Sequence, residues 1–220
     1  KLSKMVKNDK SLQAEFELVQ KIVQGLENEK QARYLSYTDE EQKLLKTFNL
    51  ITSKPVLYVA NVDESYLSDP SGNKYVDIVK EYASRDNSEV IVICGKIEEE
   101  ISVLDEDEKK EFLEEMGLKE SGLDKLIRAS YRLLGLISFF TTGPMESKAW
   151  TIVKGTKAPQ AAGKIHSDME RGFIRAEVTK YDDVVKLGSM HAAKEKGLMR
   201  LEGKDYVMED GDIVLFRFNV

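Results

Sequence analysis

The stretch that decides the fold is Pro55-Val56-Leu57-Tyr58-Val59-Ala60-Asn61-Val62-Asp63-Glu64. Its first six residues form a continuous apolar run, which predicts a strand covered on both faces. A second such run, Val90 to Cys94, follows a helical pattern from Asn73 to Arg85. Together the segments predict a βαβ unit, in which two parallel strands are joined by a right-handed crossover.

Two polar segments follow these strands, Asn61 to Glu64 and Cys94-Gly95-Lys96. Because ligands of open α/β sheets bind beyond the carboxyl ends of the strands, we expect both segments at one rim. An asparagine followed three places later by an acid, at the end of a buried strand, is typical of base recognition in P-loop nucleotide enzymes. A helix cap after a strand is the alternative interpretation, and at this point both remain open.

The residues inside the first segment bear on which base is read. GTPases use Asn-Lys-x-Asp, in which the aspartate accepts from both guanine donors. Here Val62 replaces the lysine that packs over the base, and Glu64 is one methylene longer than aspartate. Both changes weaken guanine recognition and admit adenine, whose edge the backbone amide and carbonyl of Val62 could read. In the second segment, Gly95 permits a close approach to the base, and Cys94 is expected to be a buried, inert thiol.

No phosphate loop of the form G-x-x-x-x-G-K-[ST] occurs in the sequence. The Gly-Lys pairs at Gly95, Gly163 and Gly203 lack the upstream glycine and the following hydroxyl residue that such a loop needs. Only two histidines are present, which excludes a multi-histidine metal site. We therefore predict a base reader without a phosphate cradle, and we assign no catalytic and no metal-binding residue to this chain.

Composition and charge exclude several classes of protein. A chain of 220 residues with 41% hydrophobic residues can bury a real core. One cysteine excludes an internal disulfide, and no apolar stretch reaches the length of a membrane span, so we expect a cytoplasmic protein. The net charge of −6 is uneven. Residues 97–120 hold eleven acids, which we interpret as solvated, against three bases, whereas 148–200 hold eleven bases against six acids.

Helical patterns occupy the first half of the chain. Roughly the first thirty residues predict one long helix with a narrow apolar seam, formed by Leu12, Phe16, Val19, Val23 and Leu26. A seam without an obvious partner suggests one strand of a coiled coil, and a helix packed on the domain core is the alternative. Further helices are predicted from Asp39 to Leu50 with a capping box of Thr38 and Glu41, from Asp105 to Met116, and from Ser121 towards Gly135.

A domain boundary is predicted near Gly135, where short strands replace the helical patterns. A small mixed sheet around one main helix, the β-grasp or ubiquitin-like arrangement, is expected there. The predicted strands are Leu136 to Thr141, Ala149 to Val153, Ile174 to Val178, Tyr206 to Met208 and Ile213 to Phe218. The predicted helices are Ala158 to Glu170 and Tyr181 to Lys196, and the turn Glu209-Asp210-Gly211-Asp212 leads into the last, central strand.

Four basic residues of this region are candidates for a face that binds RNA or the ribosome. They are Lys164, Arg171, Arg175 and Lys180. A mildly basic module on an acidic body could attract a polyanion locally. Ordinary solvated charge is an equally good interpretation of these residues.

The stretches Ala149 to Asp168, Gly172 to Ala176 and Glu202 to Val220 resemble the TGS domain of the YchF family, the Obg-like ATPases of the P-loop GTPase class. Lys54 to Glu64 looks like the altered base-specificity motif of that family. The initial helix looks like the returning arm of its coiled-coil insertion. By this resemblance Asn61, Val62 and Glu64 are the base-reading set, and Cys94 with Gly95 forms the second base loop.

The resemblance implies an α/β fold in three parts. Residues 1–50 would form a coiled-coil arm with a connecting helix. Residues 51–135 would form the second half of a nucleotide-binding domain, with a partial P-loop NTPase-type parallel sheet. Residues 136–220 would form the β-grasp TGS domain.

The resemblance also implies an activity for the parent protein. It would bind and hydrolyse ATP in preference to GTP, with Mg²⁺, and would associate with ribosomes. The phosphate loop, the switch regions and the outgoing arm are expected before Lys1. This chain alone is therefore expected to bind nucleotide weakly, to be inactive, and to be a monomer. The alternative is an RNA- or ribosome-binding TGS module with a scaffold half-domain and no nucleotide chemistry.

Overall fold

A computed structural model describes residues 2–67, 69, 71–143 and 146–219. Lys1, the first residue of the first predicted domain, and Val220, the last residue of the third, lie outside the described residues. The chain forms two compact units, residues 1–59 with 74–90 and residues 60–73 with 91–220. Within the described residues, every helix is too short or too polar to cross a membrane.

The regular elements are as follows. The helices are α1 (Leu2–Met5), α2 (Gln13–Glu27), α3 (Asp39–Phe48), α4 (Lys74–Arg85), α5 (Gly95–Ser102), α6 (Glu106–Glu115), α7 (Gly122–Leu134), α8 (Ala158–Ile165), α9 (Ser167–Arg171), α10 (Tyr181–Leu187) and α11 (Met190–Glu195). The strands are β1 (Leu57–Asn61), β2 (Glu89–Ile93), β3 (Leu136–Thr142), β4 (Ser147–Val153), β5 (Phe173–Lys180), β6 (Arg200–Glu202) and β7 (Asp212–Phe218).

The predicted βαβ unit is present as β1, α4 and β2. The two strands pair with each other in a two-stranded sheet. Just beyond β1, the N–H of Val62 donates to the carbonyl of Ile93 at 2.8 Å. The carboxyl ends of the two strands therefore lie side by side, as a parallel pair requires.

The predicted single long helix at the start of the chain is wrong. Its helical turns are interrupted between α1 and α2, because Asp9 acts as an N-cap and accepts from the N–H of Ser11 at 2.9 Å. Aspartate at such a position competes with a continuous helix by bonding to the nearby backbone. The predicted capping box of Thr38 and Glu41 at the start of α3 is confirmed.

The face that α2 buries differs from the predicted seam. Leu18 and Ile22 are buried in one cluster with Leu45 of α3. Val23 and Leu26 of the seam remain 46% and 41% exposed. The buried face and the seam lie about 100° apart around the helix, since neighbouring residues are separated by that angle.

The second unit contains a five-stranded sheet in the order β4-β3-β7-β5-β6. The central pair, β3 and β7, is parallel, and the other pairs are antiparallel. The helix α8 packs on one face through the fully buried Ala158, Ala161 and Ala162, whose small side chains allow close approach. Phe139 and Phe216 contribute the large side chains of that core.

Several predicted boundaries in this unit are corrected. The segment Ala158 to Glu170 is split at His166, whose extended backbone ends α8 and caps α9. The segment Tyr181 to Lys196 is split at Gly188, which has a φ of 78°. Tyr206 to Met208 is not a strand and forms only an isolated bridge through Val207, while the strand β6 was not predicted.

Gly172 provides a test of the packing between β5 and β7. A Cβ at this position would lie 1.9 Å from the carbonyl oxygen of Asn219. Because backbone atoms must then shift, we expect Gly172→Ala to lower the free energy of unfolding of the sheet by about 2 kcal/mol. Urea denaturation, followed by the fluorescence of the single tryptophan, Trp150 of β4, measures this change.

The matched control is Gly203→Ala, because no atom lies within 4 Å of a Cβ built at Gly203. That substitution should change the free energy of unfolding by less than about 0.5 kcal/mol. Equal stabilities of the two variants would contradict the close approach at Gly172.

Candidate base-recognition site

A hydrogen bond between two loops forms the centre of the site. The side-chain carbonyl of Asn61, at the end of β1, accepts from the backbone N–H of Gly95 at 2.9 Å. Gly95 is the first residue of α5, and the preceding Cys94 makes no side-chain cap. Asn61 therefore satisfies one of the first-turn N–H groups that have no partner inside a helix.

This geometry bears on the capping interpretation of Asn61. The residue does cap a helix, but that helix is α5 on the other strand's connection and not the turn that follows β1. The structure brings Asn61, Val62 and Gly95 to one rim, beyond the carboxyl ends of β1 and β2. Gly95 and Lys96, expected in a loop, lie instead in the first turn of α5.

The expected role of Val62 needs one correction. Its N–H already donates to the carbonyl of Ile93. Because a backbone amide carries one proton, it does not serve as the donor to an adenine edge while this bond persists. This bond leaves the carbonyl of Val62 unengaged.

Glu64 lies beside Lys96, a residue to which the sequence analysis assigns no role. The ammonium of Lys96 is 3.4 Å from the carboxylate of Glu64 and 3.7 Å from that of Glu100. Its hydrogen bond with Glu64 raises the pKa of Lys96, so the lysine remains charged. Since both side chains are at least half exposed, water screens the attraction and the pair stabilises the fold little. Glu64 can therefore turn from Lys96 to a ligand at little cost.

An open depression adjoins this ion pair. It has a volume of about 570 Å³ and is lined by Asp63, Glu64, Ser65, Lys96 and Met116. Pockets of roughly 300–1,000 Å³ accommodate small ligands in proteins. The acid of the Asn-x-x-Glu pattern thus faces a space of suitable size.

Cys94 lies beneath the rim and does not open onto it. It is 3% exposed and packs with Leu67, Ile97, Ile101 and Leu113. Leu67 follows the segment that carries Glu64, and Ile97 belongs to α5. The cluster therefore packs the segment after β1 and the start of α5 against each other. The expectation of a buried thiol agrees with this position, and Cys94 contributes to the site through packing.

Glu98 has a structural role that the sequence did not reveal. One of its carboxylate oxygens accepts from the N–H of Gly122 at 2.7 Å, and the other accepts from the N–H of Leu123 at 3.0 Å. A Cβ at Gly122 would lie 2.6 Å from that carboxylate. The interpretation of residues 97–120 as entirely solvated is therefore wrong for Glu98, which caps α7 and fixes α5 against it.

The four basic candidates have different surroundings. Lys164 is exposed on α8, Arg171 pairs with Asp168, and Arg175 lies 3.6 Å from Glu177. Lys180 pairs with Glu209 and, at 2.7 Å, with the fully buried Asp212. Burial opposes the charge of Lys180, but its hydrogen bonds with Asp212 and Glu209 raise its pKa overall. Lys180 therefore has a structural role in the sheet, because removing it would leave the buried carboxylate of Asp212 without its cation.

Metal ions have no evident site in the part of the chain that the structure describes. No group of three or more His, Cys, Asp or Glu side chains there is placed to hold one.

Asn61 allows a direct test of the rim. Asn61→Ala removes the acceptor for the N–H of Gly95, and we expect a loss of about 1 kcal/mol of local stability, as for other helix caps. Amide hydrogen exchange should therefore be about fivefold faster at Gly95. Asn61→Asp keeps an acceptor oxygen and is expected to preserve the protection. Equal exchange rates in both variants and the unaltered protein would refute the capping role.

Comparisons with known proteins identify relatives of the whole chain. The family model YchF-GTPase_C, described as "Protein of unknown function (DUF933)", matches residues 136–219. The ribosome-binding ATPase YchF of Bacillus subtilis is 56% identical over 221 residues, which covers 100% of this chain and 60% of that protein. Obg-like ATPase 1 of Gallus gallus is 43% identical, with 96% of this chain and 54% of that protein covered. The chain spans little more than half the length of these curated relatives.

A solved structure agrees with these similarities. The Schizosaccharomyces pombe YchF GTPase is 33% identical and superposes with a TM-score of 0.83, covering 94% of this chain and 55% of that chain. Sequence similarity thus extends over the whole chain, and fold similarity over 94% of it. The chain belongs to the YchF family.

Proposed function

We propose that this chain supplies the base-recognising part of a YchF-type nucleotide-binding ATPase. The observation that carries the proposal is the hydrogen bond between Asn61 and Gly95, which holds two loops at one rim beside an open depression. Asn61, Val62 and Glu64 form the base-reading set, and Cys94 with Gly95 forms the second base loop. The relatives are named ATPases, which supports the same activity for the parent protein.

ATP rather than GTP is the proposed substrate of the parent. Guanine recognition in the Asn-Lys-x-Asp pattern uses a lysine that packs over the base and an aspartate that accepts from two donors, whereas this chain has Val62 and the longer Glu64 at those positions. Adenine needs an acceptor for its amino group, and the carbonyl of Val62 and the carboxylate of Glu64 both offer one. Asn61 retains two amide protons for a ring nitrogen while its oxygen accepts from Gly95.

Hydrolysis by this chain alone is not expected. The sequence has no phosphate loop. A P-loop enzyme uses its contacts with the phosphates to position the terminal phosphate for attack by water. ATP or GTP with Mg²⁺ therefore belongs to the parent protein in this proposal. The chain by itself would bind the base weakly.

The architecture proposed for the chain has three parts. Residues 1–50 form a coiled-coil arm and a connecting helix, 51–135 the second half of the nucleotide-binding domain, and 136–220 a TGS domain. The exposure of Val23 and Leu26 on α2 supports the arm. The mixed sheet with a parallel central pair and the packing of α8 on it support a β-grasp fold for the TGS domain.

Association with ribosomes or RNA is the second candidate function. The relatives of Bacillus subtilis and Haemophilus influenzae are named ribosome-binding. The excess of basic residues in 148–200 supports a role of the carboxyl-terminal sheet in that contact. If this second candidate function holds, the chain acts as a binding module and the βαβ unit is its scaffold.

A chimaera tests the base selectivity. The matching segment of the Bacillus subtilis relative is replaced by this chain, and kcat/KM is measured with ATP and with GTP. We expect ATP to be preferred. Val62→Lys combined with Glu64→Asp restores the guanine pattern and should lower the ATP-to-GTP ratio of kcat/KM at least about tenfold, which corresponds to about 1.4 kcal/mol.

Asp63→Asn is the matched control for this experiment. Asp63 lines the same depression but stands outside the Asn-x-x-Glu pattern. It should leave the ratio unchanged. A chimaera that prefers GTP, or a ratio that the double substitution does not move, would refute the proposed selectivity.

A further inference from the structure

Two arginines face each other across the central strands of the five-stranded sheet. In the antiparallel register of β5 and β7, Arg175 is directly opposite Arg217. The adjacent pairs Ala176 with Phe216 and Val178 with Val214 belong to the core beneath α8. Because side chains alternate between faces, the two arginines lie on the other face of the sheet. Like charges in directly opposite positions destabilise a sheet, so this arrangement needs a compensating anion.

Glu177 supplies only part of that compensation. Its carboxylate accepts from Nε and Nη2 of Arg217 at 2.9 and 3.1 Å, and lies 3.6 Å from Arg175. The hydrogen bond with Arg217 lowers the pKa of Glu177, with further contributions from Arg175 and Lys194. Glu177 is therefore ionised at neutral pH, and its single carboxylate is shared by two guanidinium groups.

The surplus charge is accessible. Arg175 and Arg217 are each half exposed, whereas Glu177 is 8% exposed beneath them. Glu177 occupies one edge of the Arg217 guanidinium, which leaves the donors of the other edge directed elsewhere. Both arginines approach the same oxygen of Glu177, at 3.6 Å from Arg175 and 2.9 Å from Arg217, which places the two guanidinium groups beside each other.

We propose that Arg175 and Arg217 form a binding site for the phosphodiester groups of single-stranded RNA, with Glu177 as the residue that positions both. Guanidinium groups bind phosphate oxygens in a bidentate manner, which an ammonium does not. This inference rests on the proposed association with ribosomes or RNA and assigns it to particular residues. Arg217 was not among the sequence candidates, and Lys180 is excluded from the site because it neutralises Asp212.

The test is the salt dependence of binding to a fluorescein-labelled single-stranded RNA, measured by anisotropy on the 220-residue chain. Each phosphate contact that is lost should lower the slope of log K against log salt by about 0.7. Arg175→Gln combined with Arg217→Gln should therefore lower the slope by about 1.4. Arg175→Gln alone breaks only the longer contact to Glu177, is expected to fold, and should lower the slope by about 0.7.

Arg171→Gln is the matched control, since Arg171 is exposed but pairs with its own carboxylate, Asp168. It should leave the slope nearly unchanged. Thermal unfolding followed by Trp150 fluorescence verifies that every variant is folded. A slope that Arg175→Gln does not change, or an equal loss in Arg171→Gln, would overturn the site while leaving RNA binding by the chain intact.

Two other outcomes are equally decisive. If the unaltered chain binds no RNA, both the arginine site and the second candidate function fail. If polyglutamate displaces the RNA at matched ionic strength and itself binds through Arg175 and Arg217, the surface accepts acidic protein segments, and the assignment to phosphodiesters is overturned.

Discussion

The hydrogen bond from the N–H of Gly95 to the side chain of Asn61 is the constraint on which the candidate site depends. It joins the end of β1 to the start of α5, across 34 residues of sequence. A neutral hydrogen bond of this kind contributes only about 1 kcal/mol. Its importance is geometric, because it fixes the orientation of the asparagine amide, whose nitrogen carries two protons that this bond does not use.

The apolar cluster beneath the rim makes this geometry stable. Leu67, Cys94 and Ile97 come from the two loops and from α5, and they pack into one buried group. Glu98 then ties α5 to the start of α7 through two backbone N–H groups. Asn61 and Gly95, which are proposed to contact the base, thus stand on packed elements, whereas the proposed base reader Glu64 and its partner Lys96 lie at the surface and can exchange partners. A rigid amide beside a movable carboxylate is suited to recognise a flat base that enters from solvent.

Local patterns predicted the parts of the fold that depend on local physics. The apolar runs around Val59 and Ile91, the capping box at Thr38 and the left-handed Gly135 at the end of α7 are all visible in short windows of sequence. The start of α5 was missed because its cap comes from Asn61, far away in the chain. The roles of Glu98 and Arg217 were missed for the same reason, since helix packing and strand register determine their partners. The break before α2 was not predicted because the apolar spacing that indicates the helix begins only at Leu12, beyond the capping residue Asp9.

This chain is proposed to read a base without holding phosphates. A nuclear magnetic resonance titration of the chain with adenosine and, separately, with ATP distinguishes the two kinds of binding. We expect shifts at the amides of Asn61 to Glu64 and Cys94 to Lys96, with dissociation constants for adenosine and ATP that are indistinguishable. Much tighter binding of ATP than of adenosine would show that the chain contains a phosphate site and would contradict this proposal.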